Sequence, residues 1–276
     1  MGKHVVFWCV TTLLLAPAAA TGQTDVTGNI TGNTTWTVGG SPYVIQVSVV
    51  EVKNGSTLTI DPGVEIRFRK MTPKAQLRTA AGSSIVAVGT AADDIVFTSN
   101  AETQAAGDWG SVLVFASSGS QFAHCSFRYG YQALYYRECD SPIEPDVGRC
   151  SFDDCAIGMY IDTCSPTVHE CWFREAQYNV LCRGSMSEPE FWHCNFLPAP
   201  GGPEGSNIRL QSYSAAATVL AQFCFWGSAD AGEIEYTIYD SMDDGGLQGT
   251  VNYEPYLDET PVGNASWGRI KSLFRS

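Results

Sequence analysis

The sequence predicts an all-β solenoid, and two repeated segments carry that prediction. The first segment reads Cys-x-aromatic and occurs five times, with spacings of 25, 21, 23 and 30 residues between successive cysteines. Its copies are His124–Phe127, Arg149–Phe152, Glu170–Phe173, His193–Phe196 and Phe223–Trp226. Residues two apart on a β-strand share a face, so each cysteine and its ring point the same way. A period in the twenties with a strand signature indicates coils that stack these side chains in interior columns.

A second strand is predicted upstream of each copy. Its copies are Gly110–Val114, Ala133–Tyr136, Gly158–Ile161, Asn179–Cys182 and Asn207–Leu210. Glycine or asparagine opens most of these segments, and both residue types tolerate the positive φ of a tight corner. Two short strands per coil, joined by corners and by loops of varying length, describe a single-stranded parallel β-helix.

Two segments nearer the start of the chain extend the predicted pattern of short strands and corners. Apolar residues alternate on both sides of Pro62-Gly63 within residues 55–68, and Gly-Asp-Trp-Gly at 107–110 leads into a strand. With the repeats, these segments resemble the secreted bacterial right-handed parallel β-helix proteins, an architecture shared with pectate lyases. The resemblance implies that fold for nearly the whole mature chain. It leaves the activity open, because one fold hosts many functions.

Residues 1–20 are predicted to be a secretory signal peptide. The apolar run at 5–16 has 12 residues, which is too short to span a bilayer. Ala18-Ala19-Ala20 supplies the small residues of a cleavage site. We therefore expect a secreted protein (extracellular, cell-surface or periplasmic) with no membrane span, whose coils occupy residues 21–260.

The pattern changes after the last repeat. Apolar residues within 233–240 follow a helical spacing, which predicts a short helix that covers the open end of the solenoid. Residues 261–276 are expected to form a linker and a basic amphipathic tail, in which Trp267, Ile270 and Phe274 share one side of a helix. Two partners stay open for this tail: the last coil of its own chain, or an export or surface-attachment component.

The charge balance limits the classes of partner. The chain has 16 basic and 29 acidic residues, a net charge of −13, which argues against nucleic acid and anionic membrane surfaces as partners. No cofactor is predicted, although the acidity leaves room for calcium. Asp240, Asp243 and Asp244 are the candidate calcium ligands, and the alternative is a solvated turn.

The cysteines are expected to be structural. No Cys-x-x-Cys pair occurs, so a zinc site is not predicted. The five repeat cysteines are expected to be small buried hydrophobes, since side chains stacked in parallel suit disulfide geometry poorly. Cys139 and Cys164 share the context Cys-Ser-Pro one coil apart, which makes them the best disulfide candidates.

One outward face of the Cys-x-aromatic strand is the candidate ligand-binding face. It comprises His124, Arg128, Arg149, Asp153, Glu170, Trp172, Arg174 and His193. Arginine suits carboxylates and tryptophan suits the face of a sugar ring, so this mixture predicts binding of an acidic or neutral glycan. The alternative interpretation is a ladder of opposite charges that stabilises a solvated sheet.

Catalytic motifs are mostly missing. The resemblance would imply four polygalacturonase motifs, of which only Asp153-Asp154 and Arg269-Ile270-Lys271 have counterparts here. We therefore expect a non-catalytic, exported binding or structural module at the cell surface or outside the cell, whose partner is a polysaccharide or a cell-surface component. The alternative is a polysaccharide lyase or glycoside hydrolase that acts on an acidic polysaccharide.

Overall fold

The computed structural model of the chain describes residues 22–117, 119–139, 146–184, 187–199 and 201–260. They form a parallel β-helix of about seven turns, which confirms the predicted fold class. The predicted signal peptide (1–20) and tail (261–276) lie outside the described residues. No helix within the described residues is long and apolar enough to cross a membrane.

Each full coil contributes three strands, one more than the sequence pattern predicted, and the strands stack into three parallel sheets. Sheet A contains β1 (Thr24–Val26), β3 (Tyr43–Ile45), β6 (Glu65–Phe68), β9 (Ile95–Ser99), β12 (Cys125–Arg128), β15 (Ser151–Asp153), β18 (Trp172–Arg174) and β21 (Asn195–Leu197). In the first four Cys-x-aromatic segments the ring lies in one of these strands, and the cysteine begins β12 or directly precedes β15, β18 or β21.

Sheets B and C complete the coils. Sheet B contains β4 (Val49–Val52), β7 (Gln76–Thr79), β10 (Val112–Phe115), β13 (Gln132–Arg137), β16 (Ile157–Asp162), β19 (Tyr178–Arg183), β22 (Ile208–Gln211) and β24 (Ile238–Tyr239). Sheet C contains β2 (Thr34–Trp36), β5 (Thr57–Ile60), β8 (Ser84–Val88), β11 (Gln121–Ala123), β14 (Asp146–Gly148), β17 (Thr167–His169), β20 (Glu190–Trp192), β23 (Thr218–Leu220) and β25 (Thr250–Asn252). A 3₁₀ helix, Val38–Gly40, lies in the first coil.

Single left-handed residues turn the chain from one sheet to the next. The corner from sheet C to sheet A uses His124, Arg149, Glu170, His193 and Phe223, with φ between 49° and 55°. The ladder of hydrogen bonds continues through this corner, since the His124 amide donates to the Gly148 carbonyl at 3.1 Å. The glycines and asparagines that open the sheet B segments have no positive φ, so the predicted corner role is wrong for them.

Those asparagines instead form a ladder inside the solenoid. Asn179 donates its Nδ2–H to Oδ1 of Asn207 at 2.7 Å, and Asn207 donates to Oγ1 of Thr237 at 3.0 Å. Gly158 precedes them in the same stack, and a Cβ there would lie 2.7 Å from the Asn179 carbonyl oxygen. These positions are small or amide-bearing because they pack in the interior.

The predicted interior columns are confirmed. Neighbouring rings in the aromatic column have centroids 4.7–5.1 Å apart, and the members are Phe97, Phe127, Phe152, Phe173, Phe196 and Trp226. The cysteine column beside it is at most 2 % exposed and contains Cys125, Cys150, Cys171, Cys194 and Cys224. Stacked rings at this spacing bury large apolar areas, which is the main source of stability for the fold.

The C-terminal helix is shorter and earlier than predicted. Helix α1 spans Ala231–Tyr236, and Asp230 caps it by accepting hydrogen bonds from the Gly232 and Glu233 amides. Ile234 is buried in the core at this end. The chain then returns to sheet B as β24, because the backbone at 238 pairs with Ile208 instead of continuing the helix.

Candidate ligand-binding face

The structure brings the predicted face residues of sheet A together on successive coils. His124, Arg149, Glu170 and His193 occupy the C-to-A corner, while Arg128, Asp153 and Arg174 are register partners at the end of β12, β15 and β18. The predicted stacking order is therefore correct. Whether this surface binds a ligand stays a prediction.

Most charges on this surface are engaged with one another. Arg174 donates its Nε–H to Oδ1 of Asp153 at 2.5 Å, and Arg149 pairs with Glu170 at 2.7 Å. Arg128 donates its Nε–H to the Ser126 hydroxyl at 3.2 Å. This arrangement fits the alternative interpretation, a ladder of opposite charges.

Trp172 differs from the prediction. It lies outside the core cluster, as alternation requires, but it is only 3 % exposed and the Arg174 guanidinium lies 5.8 Å from its ring centre. Its Nε1 has no hydrogen-bond partner, nor do Nδ2 and Oδ1 of Asn195, its register partner in β21. The ring is therefore covered, and its predicted contact with a sugar stays a prediction.

The candidate calcium ligands are used by the backbone of their own loop. Oδ1 of Asp240 accepts from the Met242 amide at 2.7 Å, and Oδ2 accepts from the Val251 amide at 2.8 Å. Asp243 accepts from the Asp240 amide, and Asp244 accepts from the Gly246 amide. Among the residues that the structure describes, no three His, Cys, Asp or Glu side chains are grouped so as to hold a metal ion.

The outer surface of sheet B has a different character. We call it the tyrosine face, and define it by two columns of register partners. The first column is Leu113, Tyr135, Tyr160, Leu181, Arg209 and Tyr239. The second column is Phe115, Arg137, Asp162, Arg183 and Gln211. Both columns lie outside the core cluster, although Tyr160 and Leu181 are only 7 % and 5 % exposed. Rings, leucines and guanidinium groups therefore follow one another along the outer side of the sheet.

Tyr135 and Tyr160 form the centre of the tyrosine face. Their ring centroids are 4.7 Å apart, and the Tyr135 hydroxyl donates to Oδ2 of Asp162 at 3.4 Å. Burial, and secondly the Asp162 carboxylate, raise the pKa of Tyr135 to about 12. A hydrogen bond from Arg183 to Tyr160 raises the pKa of that guanidinium. The Tyr135 phenol therefore stays neutral at physiological pH.

Arg209 lies near the C-terminal end of the tyrosine face. Its guanidinium lies 3.9 Å from the ring centre of Tyr239 and 5.6 Å from that of Tyr178. Its Nη1 donates to the Glu204 carbonyl at 3.2 Å. The guanidinium thus contacts the Tyr239 ring and belongs to the same outward column as Tyr135 and Tyr160.

A cavity of about 280 Å³ lies at the N-terminal end of the same surface. Leu113 and Phe115 line it, and the Arg137 guanidinium lies 5.7 Å from the Phe115 ring centre. Arg78 and Glu51 also line the cavity and form an ion pair at 2.8 Å. The cavity combines apolar walls with a few polar groups, which is the usual composition of a small-molecule site.

Sequence reasoning missed the tyrosine face, although a signal for it was present. The second repeated strand contains Leu113, Tyr135, Tyr160, Leu181 and Arg209 at equivalent positions. An outward column of rings and long side chains is visible there once the register is known. Attention to the cysteine repeat placed the predicted site on sheet A instead.

Part of the chain matches a known protein family. Residues 28–121 match the profile of the family described as pectate-lyase like beta helix domain. With the solenoid itself, this match confirms the predicted resemblance to pectate-lyase-like β-helix proteins. No curated protein and no solved structure matches the chain.

Proposed function

We propose that this chain is an exported, non-catalytic β-helix protein that binds carbohydrate on the tyrosine face. The observation that carries the proposal is the first column, which lines the outer side of sheet B with rings, leucines and a guanidinium on six successive coils. The apolar run at 5–16, with its small-residue cleavage pattern, supports export.

The chemistry of the column suits sugars. Aromatic rings pack against the C–H faces of pyranoses, and arginine, carboxylate and phenol groups bond to hydroxyls. Tyr135, Asp162 and Arg183 supply all three kinds of polar group on three successive coils. Such a surface can therefore bind a sugar by its flat face and fix its orientation at its edge.

The geometry favours a polymer over a single sugar. Neighbouring parallel strands are about 4.8 Å apart, which is comparable to the length of one residue in a polysaccharide chain. A glycan that lies across the strands would meet a new side chain of the column at each coil. We therefore expect affinity to rise with the length of the oligosaccharide.

The test is calorimetric titration of the purified protein with neutral and acidic oligosaccharides of increasing length. We expect binding that strengthens with length, and a loss of affinity of about fivefold or more for Tyr135→Ala and for Arg183→Ala. The matched control is Arg149→Ala, which removes an exposed, ion-paired arginine from the C-to-A corner. It should leave the affinity unchanged.

Three outcomes would contradict the proposal. New reducing ends or unsaturated products would indicate a glycoside hydrolase or polysaccharide lyase. A loss of affinity in Arg149→Ala with none in Tyr135→Ala would move the site to the predicted face on sheet A. The absence of binding across the panel would remove the carbohydrate assignment.

A further inference from the structure

Cys139 and Cys164 occupy equivalent positions in adjacent coils. Each follows a left-handed corner residue, Glu138 or Thr163, at the end of register partners β13 and β16. The Cys139 amide donates to Sγ of Cys164 at 2.9 Å. Adjacent coils are about 4.8 Å apart, which lies within the Cα separation that a disulfide spans.

One member of this pair, Cys139, differs from the cysteine column in its access to solvent, whereas Cys164 is 2 % exposed, like Cys125. Cys139 is half-buried, whereas the five column cysteines are at most 2 % exposed. All nine described cysteines are thiols in the structure. A disulfide can form only after an oxidant reaches one of the two sulfurs as a thiolate. The more accessible cysteine of a pair therefore decides whether that pair reacts.

The causes of the pKa shifts also separate the two groups. Burial is the main cause of the raised pKa of Cys171 and of Cys194. The pKa of Cys164 is raised first by its hydrogen bond with the Cys139 thiol and only then by burial. The contact between the two thiols, more than burial, thus distinguishes Cys164 from Cys171 and Cys194.

We propose that Cys139 and Cys164 are an oxidisable pair that forms a disulfide when the protein meets a small-molecule or protein disulfide. The Cys139 thiolate attacks one sulfur of the oxidant and displaces a thiolate. The Cys164 thiolate then attacks the Cys139 sulfur, forms the Cys139–Cys164 bond and releases the second thiolate. The two cysteine protons end on the two released thiols, so the pair is oxidised and the oxidant is reduced.

The bond would tie together the two strands at the centre of the tyrosine face. Arg137 and Asp162, the last residues of β13 and β16, lie two residues before Cys139 and Cys164. Closing a 25-residue loop should raise Tm by roughly 6–12 °C for a chain of this size. This consequence does not depend on what the face binds.

The experiment uses the full chain incubated with oxidised glutathione, followed by non-reducing peptide mapping with mass spectrometry. We expect one linked peptide pair, Cys139 with Cys164, with the loss of two hydrogen atoms and the rise in Tm. The variant Cys164→Ser should show neither the linked peptide pair nor the rise in Tm. It should instead carry a mixed disulfide between Cys139 and glutathione. Circular dichroism before oxidation checks that the variant is folded.

Cys150 and Cys171 are the internal control within the same wild-type sample. They are also in adjacent coils, and the Cys150 amide contacts Sγ of Cys171 at 3.4 Å, but both are buried. They should stay unlinked. Linkage of that pair instead, glutathione held stably on wild-type Cys139, or no reaction at either pair would each overturn the proposal.

Discussion

The ring of Phe173 stacks on the ring of Phe152 with their centroids 4.8 Å apart and their planes within 5° of parallel. Both rings are completely buried. Because each ring in the column supports the next, removal of one ring leaves a cavity that its neighbours cannot fill. We expect Phe173→Ala to lower the free energy of unfolding by about 3–5 kcal/mol, as measured by chemical denaturation. A cost near zero would place Phe173 outside the core.

Trp172 provides the contrast on the other face of the same strand. Alternation places Trp172 on the outward face, so sequence alone predicts that its replacement costs far less than that of Phe173. The ring is covered, so we expect Trp172→Ala to cost about 1–3 kcal/mol, still less than Phe173→Ala. Trp172→Phe keeps a ring and removes the unpartnered Nε1–H, so it should cost less than Trp172→Ala. Thermal melts that rank the two alanine variants in the opposite order would contradict the register.

Tyr135 should make the fold sensitive to alkali. Its pKa is raised to about 12, mainly by burial, whereas an unfolded tyrosine ionises near 10. The folded state therefore holds the proton more tightly, so the contribution to stability is complete below pH 10 and is lost as the pH rises toward 12. We expect Tyr135→Phe to remove part of the fall in stability between pH 10 and 12, measured by urea unfolding at each pH. An unchanged pH profile would show that Tyr135 ionises normally in the folded protein.

The cysteine column should remain reduced and protected. Its five thiols are buried, so reagents do not reach them. They are also stacked in parallel, so neighbouring sulfurs do not meet in the geometry that a disulfide requires. Alkylation under native conditions should spare them, and alkylation in denaturant should label at least five sites by mass spectrometry. Four complete disulfides in the purified protein would refute this expectation.

The tail at 261–276 stays a prediction from sequence. Its three basic residues and three apolar side chains at helical spacing suit docking on an acidic body or recognition by an export component. Truncation after Asn264 separates the two partners. If the truncated protein is less stable to heat but is exported normally, the tail docks on the last coil. If its stability is unchanged but it is lost from the cell surface, the tail is recognised by an export or surface-attachment component. If neither property changes, both partners are wrong.

The sequence by itself determined the solenoid and its interior. In a parallel β-helix, residues one period apart become neighbours, so a repeat such as Cys-x-Phe predicts a column before any coordinates are known. The burial of Phe152, Phe173 and their partners follows from alternation alone. The Gly-Asp-Trp-Gly segment and the N-terminal coils likewise predicted the family resemblance from sequence alone, and residues 28–121 match the family profile.

Only the tertiary structure decided the third sheet and the character of each outer surface. The strands of sheet C at 121–123, 146–148, 167–169 and 190–192 have three residues each and share no two-residue signature such as Cys-x-aromatic, so the sequence does not mark them. Loops of unequal length hide which outward residues become register partners. Hence Arg174 meets Asp153, Trp172 is covered and Tyr135 meets Tyr160 for one physical reason: a contact across coils depends on the register between strands, which local sequence does not encode.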